Sequence, residues 1–144
     1  MKRGPRDLSK KTIPQLKTTL DGIFGKWVLL NWSPNGETVA CYTCGKVYAL
    51  NDKNIGAGHF LAKGSYSSER YCEDNVRPQD FYPCNHKNIG NGRPVEFEYN
   101  LRLEIGDDVV DALKTRAREL QHSWKWNRAD LIEKIEYYRA ELKR

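Results

Sequence analysis

Cys41-Tyr42-Thr43-Cys44 and Pro83-Cys84-Asn85 place three thiols at spacings that suit a structural zinc, which takes four thiolate, imidazole or carboxylate donors in a tetrahedron. Gly45-Lys46 follows the first pair, and a turn there lets backbone N–H groups reach the thiolates. The fourth donor stays open at this level. Asp80 precedes Cys84 and could give an oxygen, Cys72 is the remaining thiol, and His86 follows Cys84 closely. Cys72 also reads as a small buried apolar residue, as free cysteines commonly do. A redox Cys-x-x-Cys sits at a helix start after a strand, whereas the flanks of Cys41 and Cys44 read as a hairpin, which favours metal.

A second group lies in Ala57-Gly58-His59-Phe60, Asn75 and Asn85. Hydrolysis of a phosphodiester needs an activated water, a metal that stabilises charge on the phosphate, and help for the leaving oxygen. A neutral imidazole at His59 can take the water's proton. The side-chain carbonyl of Asn85 is a hard oxygen suited to Mg²⁺ or Mn²⁺. Asn75 could hold the His59 ring in orientation. The blander alternative makes His59 a structural residue and both asparagines local turn or cap formers. Lys46, Lys53, Lys63, Arg70, Arg77, Lys87 and Arg93 flank the stretch as phosphate-contact candidates, and each alone is equally a solvated charge. Trp124 and Trp126, beside His122, could stack on exposed bases or pack inside.

The elements that must position these groups are read from period and punctuation. Thr12 and Pro14 start a helix that reaches about Leu30, with Leu16, Leu20, Ile23/Phe24 and Trp27/Val28 inward. Ser33-Pro34-Asn35-Gly36 is a turn. Strands are expected over 37–42, 47–50 and 57–61, with polar loops over 51–56 and 63–68 and an extended piece over 75–79. A short helix is expected over 84–88, ended by Gly90-Asn91-Gly92. Residues 95–105 alternate strictly in apolarity, which argues strand, yet Val95, Tyr99 and Leu103 also make an i, i+4, i+8 stripe. Asp107 and Asn127 are expected to cap two last helices that pair as an antiparallel hairpin.

Composition bounds the class. The chain has 144 residues, 30% charged and 39% hydrophobic, which fits one soluble domain with a helical appendage. No run of about 18 apolar residues is present, so no membrane span is expected. Met1-Lys2-Arg3-Gly4-Pro5-Arg6 has no apolar stretch behind it and does not read as a secretory signal. Four cysteines without an export signal argue against a disulfide framework. The net charge of +5 is a mild excess that fits a nucleic-acid partner. Its placement adds to that: Lys2, Arg3, Arg6, Lys10 and Lys11 form a basic arm, and Arg139, Lys143 and Arg144 end the chain.

From about residue 14 to 143 these motifs together resemble the phage NinG family, also called Rap, of recombination endonucleases. The resemblance is carried by Cys41-Tyr42-Thr43-Cys44-Gly45-Lys46, Ala57-Gly58-His59-Phe60, Arg70-Tyr71 with Glu73, Asn75-Val76 and Pro78-Gln79, Cys84-Asn85, Gly90-Asn91, Ile105-Gly106 and the stretch from Trp126 to Tyr138. It implies an α+β fold: a small zinc-stabilised ββα-metal (HNH-like) core, distantly similar to phage endonuclease VII, with an N-terminal helix and a C-terminal helical hairpin. The implied divisions are a flexible basic arm over 1–13, the nuclease core over 14–106 and a helical extension over 107–144. It selects a helix for 95–105. It implies a metal-dependent endodeoxyribonuclease acting on branched DNA, such as Holliday junctions and D-loops, in the cytoplasm of an infected bacterial host. His59 matches the general base, Asn85 the ligand of a catalytic Mg²⁺ or Mn²⁺, and Asn75 the middle Asn of the pattern. Many HNH enzymes place an Asp directly before the base; here that position is Gly58, as in this family's own motif, which leaves Glu73 or Asp74 as guesses for a second ligand. One departure stands out. Asp80 stands where the family has Cys, and Cys72 where it more often has an acid, so the fourth zinc donor is Asp80 or Cys72, or the zinc site is degraded. A homodimer would explain paired cuts across a junction. A zinc-stabilised DNA-binding module without nuclease activity is the alternative, and a redox or scaffold protein using Cys41 and Cys44 is a third reading.

Overall fold

The computed structural model describes residues 7–144. Its elements are helices α1 (Ile13–Trp32), α2 (Pro94–Ile105), α3 (Asp107–Leu120) and α4 (Arg128–Leu142), with strands β1 (Thr38–Ala40), β2 (Val47–Ala49), β3 (Ile55–His59) and β4 (Val76–Asp80). This is an α+β chain. Two compact units divide it: the chain up to Trp27 together with Trp126–Arg144, and Val28–Lys125, with α1 running across the boundary. That division differs from the expected boundaries after 13 and 106. Lys2, Arg3 and Arg6 of the expected basic arm lie outside the described residues, while Leu8–Lys10 forms a 3-10 turn capped by Asp7.

The first unit is built on the start of α1. Thr12 Oγ1 accepts from the Gln15 amide at 3.2 Å, and Gln15 Oε1 accepts from the Thr12 amide at 2.9 Å, a reciprocal cap that fixes where the helix begins. Leu16, Leu20 and Phe24 recur at i+4 and are buried, as the period requires. Burying each contributes about 1.5–3 kcal/mol. From α4, Leu131, Ile135 and Tyr138 are buried at i, i+4 and i+7, and the Tyr138 ring meets Phe24 at 4.9 Å and Trp27 at 5.0 Å between centroids. The Asn127 side chain accepts from the Asp130 amide, which caps α4 as expected.

The second unit holds both sheets. β1 and β2 pair antiparallel with Val39 opposite Tyr48, and β3 and β4 pair antiparallel from Ile55 opposite Asp80 to His59 opposite Val76. β3 thus starts inside the span expected to be a polar loop, because Ile55 is buried beside Val39, Cys41, Tyr48 and Cys84. The helix expected over 84–88 is replaced by an irregular turn over Phe81–Asn85, whose Tyr82 is extended. Asn54 holds that turn open, donating to Tyr82 O at 2.7 Å and accepting from the Tyr82 amide at 3.0 Å.

Residues 94–105 are helical. Phe97 and Leu101 face a cluster with Val110, and α2 pairs with α3. α3 shares a unit with α2, and α4 belongs to the unit of α1. Gly106, not Asp107, occupies the N-cap of α3, at φ 91, a left-handed value that suits Gly. No helix among the described residues is long and apolar enough to cross a membrane.

Candidate metal centre and active-site pocket

Two hairpin regions and the turn after β4 converge on one donor cluster. Cys41 and Cys44 come from the β1–β2 connection, Asp80 from the end of β4 and Cys84 from the turn that follows. One ligand atom from each of Cys41, Cys44, Asp80 and Cys84 lies within 4.8 Å of every other. Sγ of Cys41 and Sγ of Cys84 are 3.8 Å apart. A tetrahedral zinc with bonds of about 2.3 Å has ligand edges of about 3.8 Å, so the spacing fits. Three sulfurs and one oxygen select zinc over a hard cation. The cluster is compatible with a structural zinc.

The surroundings hold the donors in place. Asp80 Oδ2 accepts from the Tyr48 hydroxyl at 2.9 Å, and Asp80 Oδ1 accepts from the Cys84 amide at 2.9 Å. The Asp80 amide lies 3.3 Å from Cys41 Sγ, a donor to thiolate. Burial pushes the Asp80 carboxyl up, but contacts from Cys44, Cys84 and Tyr48 outweigh it and hold the group below its ordinary value. Burial pushes the Cys44 thiol up to about 12, and the adjoining Asp80, Cys41 and Cys84 add to this. Burial likewise raises Cys84. Acidic groups gathered this closely resist ionising together, and a bound cation reverses that preference.

Asp80 is thus the fourth donor of the cluster. The alternative, Cys72, is corrected: its Sγ sits 3.3 Å from the Arg116 guanidinium, outside the cluster. His86 is also outside, its ring 5.6 Å from Phe81 and its Nδ1 accepting from the Asn88 amide at 3.2 Å.

A separate cavity of about 290 Å³ is lined by His59, Phe60, Lys63, Asn85, Asn91 and Gly92 among others. His59 is delivered by the last position of β3. Its Nε2 lies 2.9 Å from Arg70 O; a carbonyl only accepts, so Nε2 is the donor in this bond. Gly58 is required beside it, because a Cβ there would stand 2.3 Å from Gln79 Oε1. Gln79 is buried and donates to Thr43 Oγ1 at 3.0 Å and Gly92 O at 2.8 Å, so it joins the knuckle to the cavity wall.

Asn85 is exposed at the rim, its Oδ1 3.7 Å from the place a Cβ on Gly92 would take. The wall from Asn91 to Arg93 is a run of left-handed residues, at φ 51, 88 and 48, that turns the chain into α2. Gly90 sits so close to the Pro83 and Cys84 carbonyls that a Cβ would come within 2.4 and 2.1 Å. Gly90-Asn91-Gly92, expected to end a helix, with Gly90-Asn91 also carrying part of the resemblance, supplies Asn91 and Gly92 to the cavity wall, a role not expected from the sequence. The unusual density of Gly and Asn was the available signal.

Asn75 does not line the cavity. It is buried, accepts from the Leu61 amide at 2.8 Å, and donates to Leu61 O and Glu69 O, both at 3.0 Å. It ties the two ends of the β3–β4 loop together, and through that loop it places Arg70 O against His59. The expected direct hold on the imidazole is corrected to this indirect one. Glu73 and Asp74 are exposed and do not border the cavity, and among the described residues no carboxylate lines it.

The expected phosphate contacts separate. Lys46, Lys63 and Lys87 are exposed, and Lys63 lines the cavity. Arg70 is half-buried over the Tyr71 ring at 5.7 Å, and half-buried Arg93 is the N-cap of α2. Arg77 is a correction. It is 3% exposed, pairs with Glu104 at 3.2 Å, and lies over Trp32 at 4.8 Å and Tyr42 at 5.6 Å. Of the two tryptophans, Trp126 is buried and unavailable for base stacking, while Trp124 is half-buried.

Comparison with curated proteins and comparison with solved structures each gave no match. A family model described as "Bacteriophage Lambda NinG protein" matches residues 6–144. The knuckle cysteines, the His59 strand and the turn through Cys84 all lie within that match, and the chain belongs to the NinG family.

Proposed function

We propose that the chain is a metal-dependent, structure-selective DNA endonuclease that hydrolyses phosphodiesters in branched recombination intermediates such as Holliday junctions and D-loops. One observation carries this reading: His59 and Asn85, far apart in sequence, line one cavity with Lys63 at the entrance of α2. The zinc cluster stiffens the scaffold beneath. β3, β4 and α2 in succession are consistent with a ββα-metal core.

The residues present suit a hard cation that keeps most of its waters and completes its shell with substrate phosphate, since Asn85 offers an amide oxygen at an exposed rim. When bound, Mg²⁺ or Mn²⁺ there supplies positive charge to the phosphate and to the departing 3′ oxygen. His59 takes the proton of the attacking water, while the bond from Nε2 to Arg70 O holds the ring in place. Lys63 places its charge where the phosphate enters. Phe60 N donates to Asn75 O at 2.9 Å, so the strand keeps its pairing at the point where His59 must not shift. The products are a 5′ phosphate and a 3′ hydroxyl. A pair of chains would set matching cuts on two strands of a junction.

The alternative, a zinc-stabilised DNA-binding module, draws on one observation: among the described residues no carboxylate borders the cavity. A labelled four-way junction incubated with the protein and Mg²⁺ or Mn²⁺ separates the two. Nicks near the branch that Asn85→Ala and His59→Ala abolish, with binding retained, support the enzyme. Binding without cleavage under every metal condition establishes the module instead.

A further inference from the structure

Outside the cavity, the unit built from α1 and α4 carries a groove of about 840 Å³ whose walls include Lys10, Lys11, Thr19, Lys26 and Arg139. Among the described residues that line it there is no Asp or Glu. Its cations come from three places: the 3-10 turn before α1, the outer face of α1, and the last turn of α4. Gly22 lies between them on α1, and a Cβ there would meet nothing within 4 Å, so the floor is open.

The groove is also held in shape. Arg128 Nη1 donates to Lys11 O at 2.5 Å, which fastens the segment bearing Lys10 and Lys11 to the start of α4. The reciprocal cap of Thr12 and Gln15 then sets the angle at which that segment enters α1. Four cations fixed on separate elements around an open trough lose little freedom when an extended polyanion is laid along it. In sequence, Lys2, Arg3 and Arg6 immediately precede this segment and add to the same charge.

We infer that this groove binds the phosphate backbone of a DNA arm, as a second contact surface separate from the unit that carries His59. The inference rests on the proposed action on DNA but not on cleavage. Its contacts are to phosphates, so they give affinity and orientation and carry no base sequence.

The test uses the full chain with His59→Ala as parent, so that the DNA stays intact, and a four-way junction as probe. Lys11→Gln, Lys26→Gln and Arg139→Gln are combined in that parent. The expected result is a loss of more than tenfold in affinity at moderate salt, and a plot of log affinity against log salt shallower by about 2.7, at 0.9 per lost phosphate contact. Unchanged affinity and slope overturn the groove. A second readout needs no groove variant: junction DNA should protect Lys10, Lys11 and Lys26 from acylation in the parent. Equal labelling with and without DNA overturns the inference, and equal protection by polyglutamate overturns its assignment to DNA. Cleavage by the unaltered chain is scored separately, so loss of the nuclease reading leaves this result standing, and the reverse.

Discussion

At the scale of single residues, Asp80 decides more than any other side chain. It closes the donor cluster, accepts from Tyr48, and orders the turn that presents Asn85. Asp80→Ala should lower zinc content well below one per chain, while Cys72→Ser should leave it unchanged; elemental analysis of both variants checks this. Sequence spacing could not choose between them, because a ligand set is a property of distance in space. Cys72 is nearer to being a core thiol, with burial raising it above its ordinary value. Gly58 is the second informative residue. Adding a methyl group must move buried Gln79, so Gly58→Ala should destabilise the fold by about 1–3 kcal/mol in a denaturant titration. An unaltered midpoint would mean that Gln79 can move away freely.

At the scale of elements, α2 shows what pattern can and cannot say. Val95, Phe97, Tyr99, Leu101 and Leu103 alternate as a strand would, yet only Phe97 and Leu101 are buried, while Val95, Tyr99 and Leu103 are exposed. A helix that buries one narrow stripe and leaves apolar residues on another face has no clean period, so the family resemblance rather than the pattern selected it. α1 was legible from its regular i+4 burial and its cap. The strands were legible only to within a few residues, since each is three to five residues long and bounded by side-chain bonds such as those of Asn54. Arg77 illustrates a different blind spot: its charge suggested phosphate, but Glu104, Trp32 and Tyr42 enclose it. The α2–α3 pair carries a pH signature. Burial raises Glu98, but its bonds to Arg102 and Lys114 prevail and leave its carboxyl below the ordinary 4.5. A depressed folded value means stabilisation that is present above the unfolded value and lost as pH falls through the folded one. Melting temperature should therefore fall on acidification below about 4.5, and Glu98→Gln should flatten that limb. An identical acid limb in the variant would count against the pairing.

At the scale of the whole molecule, the two compact units have separate sources of stability. The unit of α1 and α4 rests on apolar side chains, including Leu16, Leu20, Phe24, Leu131, Ile135 and Tyr138. The unit of Val28–Lys125 has short strands and a donor cluster compatible with zinc, and a metal bound there would contribute to its folding free energy. Zinc removal by a chelator should unfold the second unit while the α1–α4 unit keeps its amide protection in hydrogen exchange. Uniform loss of protection across both units would show that they fold as one. The central claim, however, is chemical: the cavity shared by His59 and Asn85 cuts DNA. Single-turnover cleavage of a bound four-way junction by His59→Ala, with and without added imidazole, tests it most directly. The account predicts a rate lower by about 10²–10⁴, partly restored by imidazole, with junction affinity unchanged. A rate equal to that of the unaltered chain would contradict it.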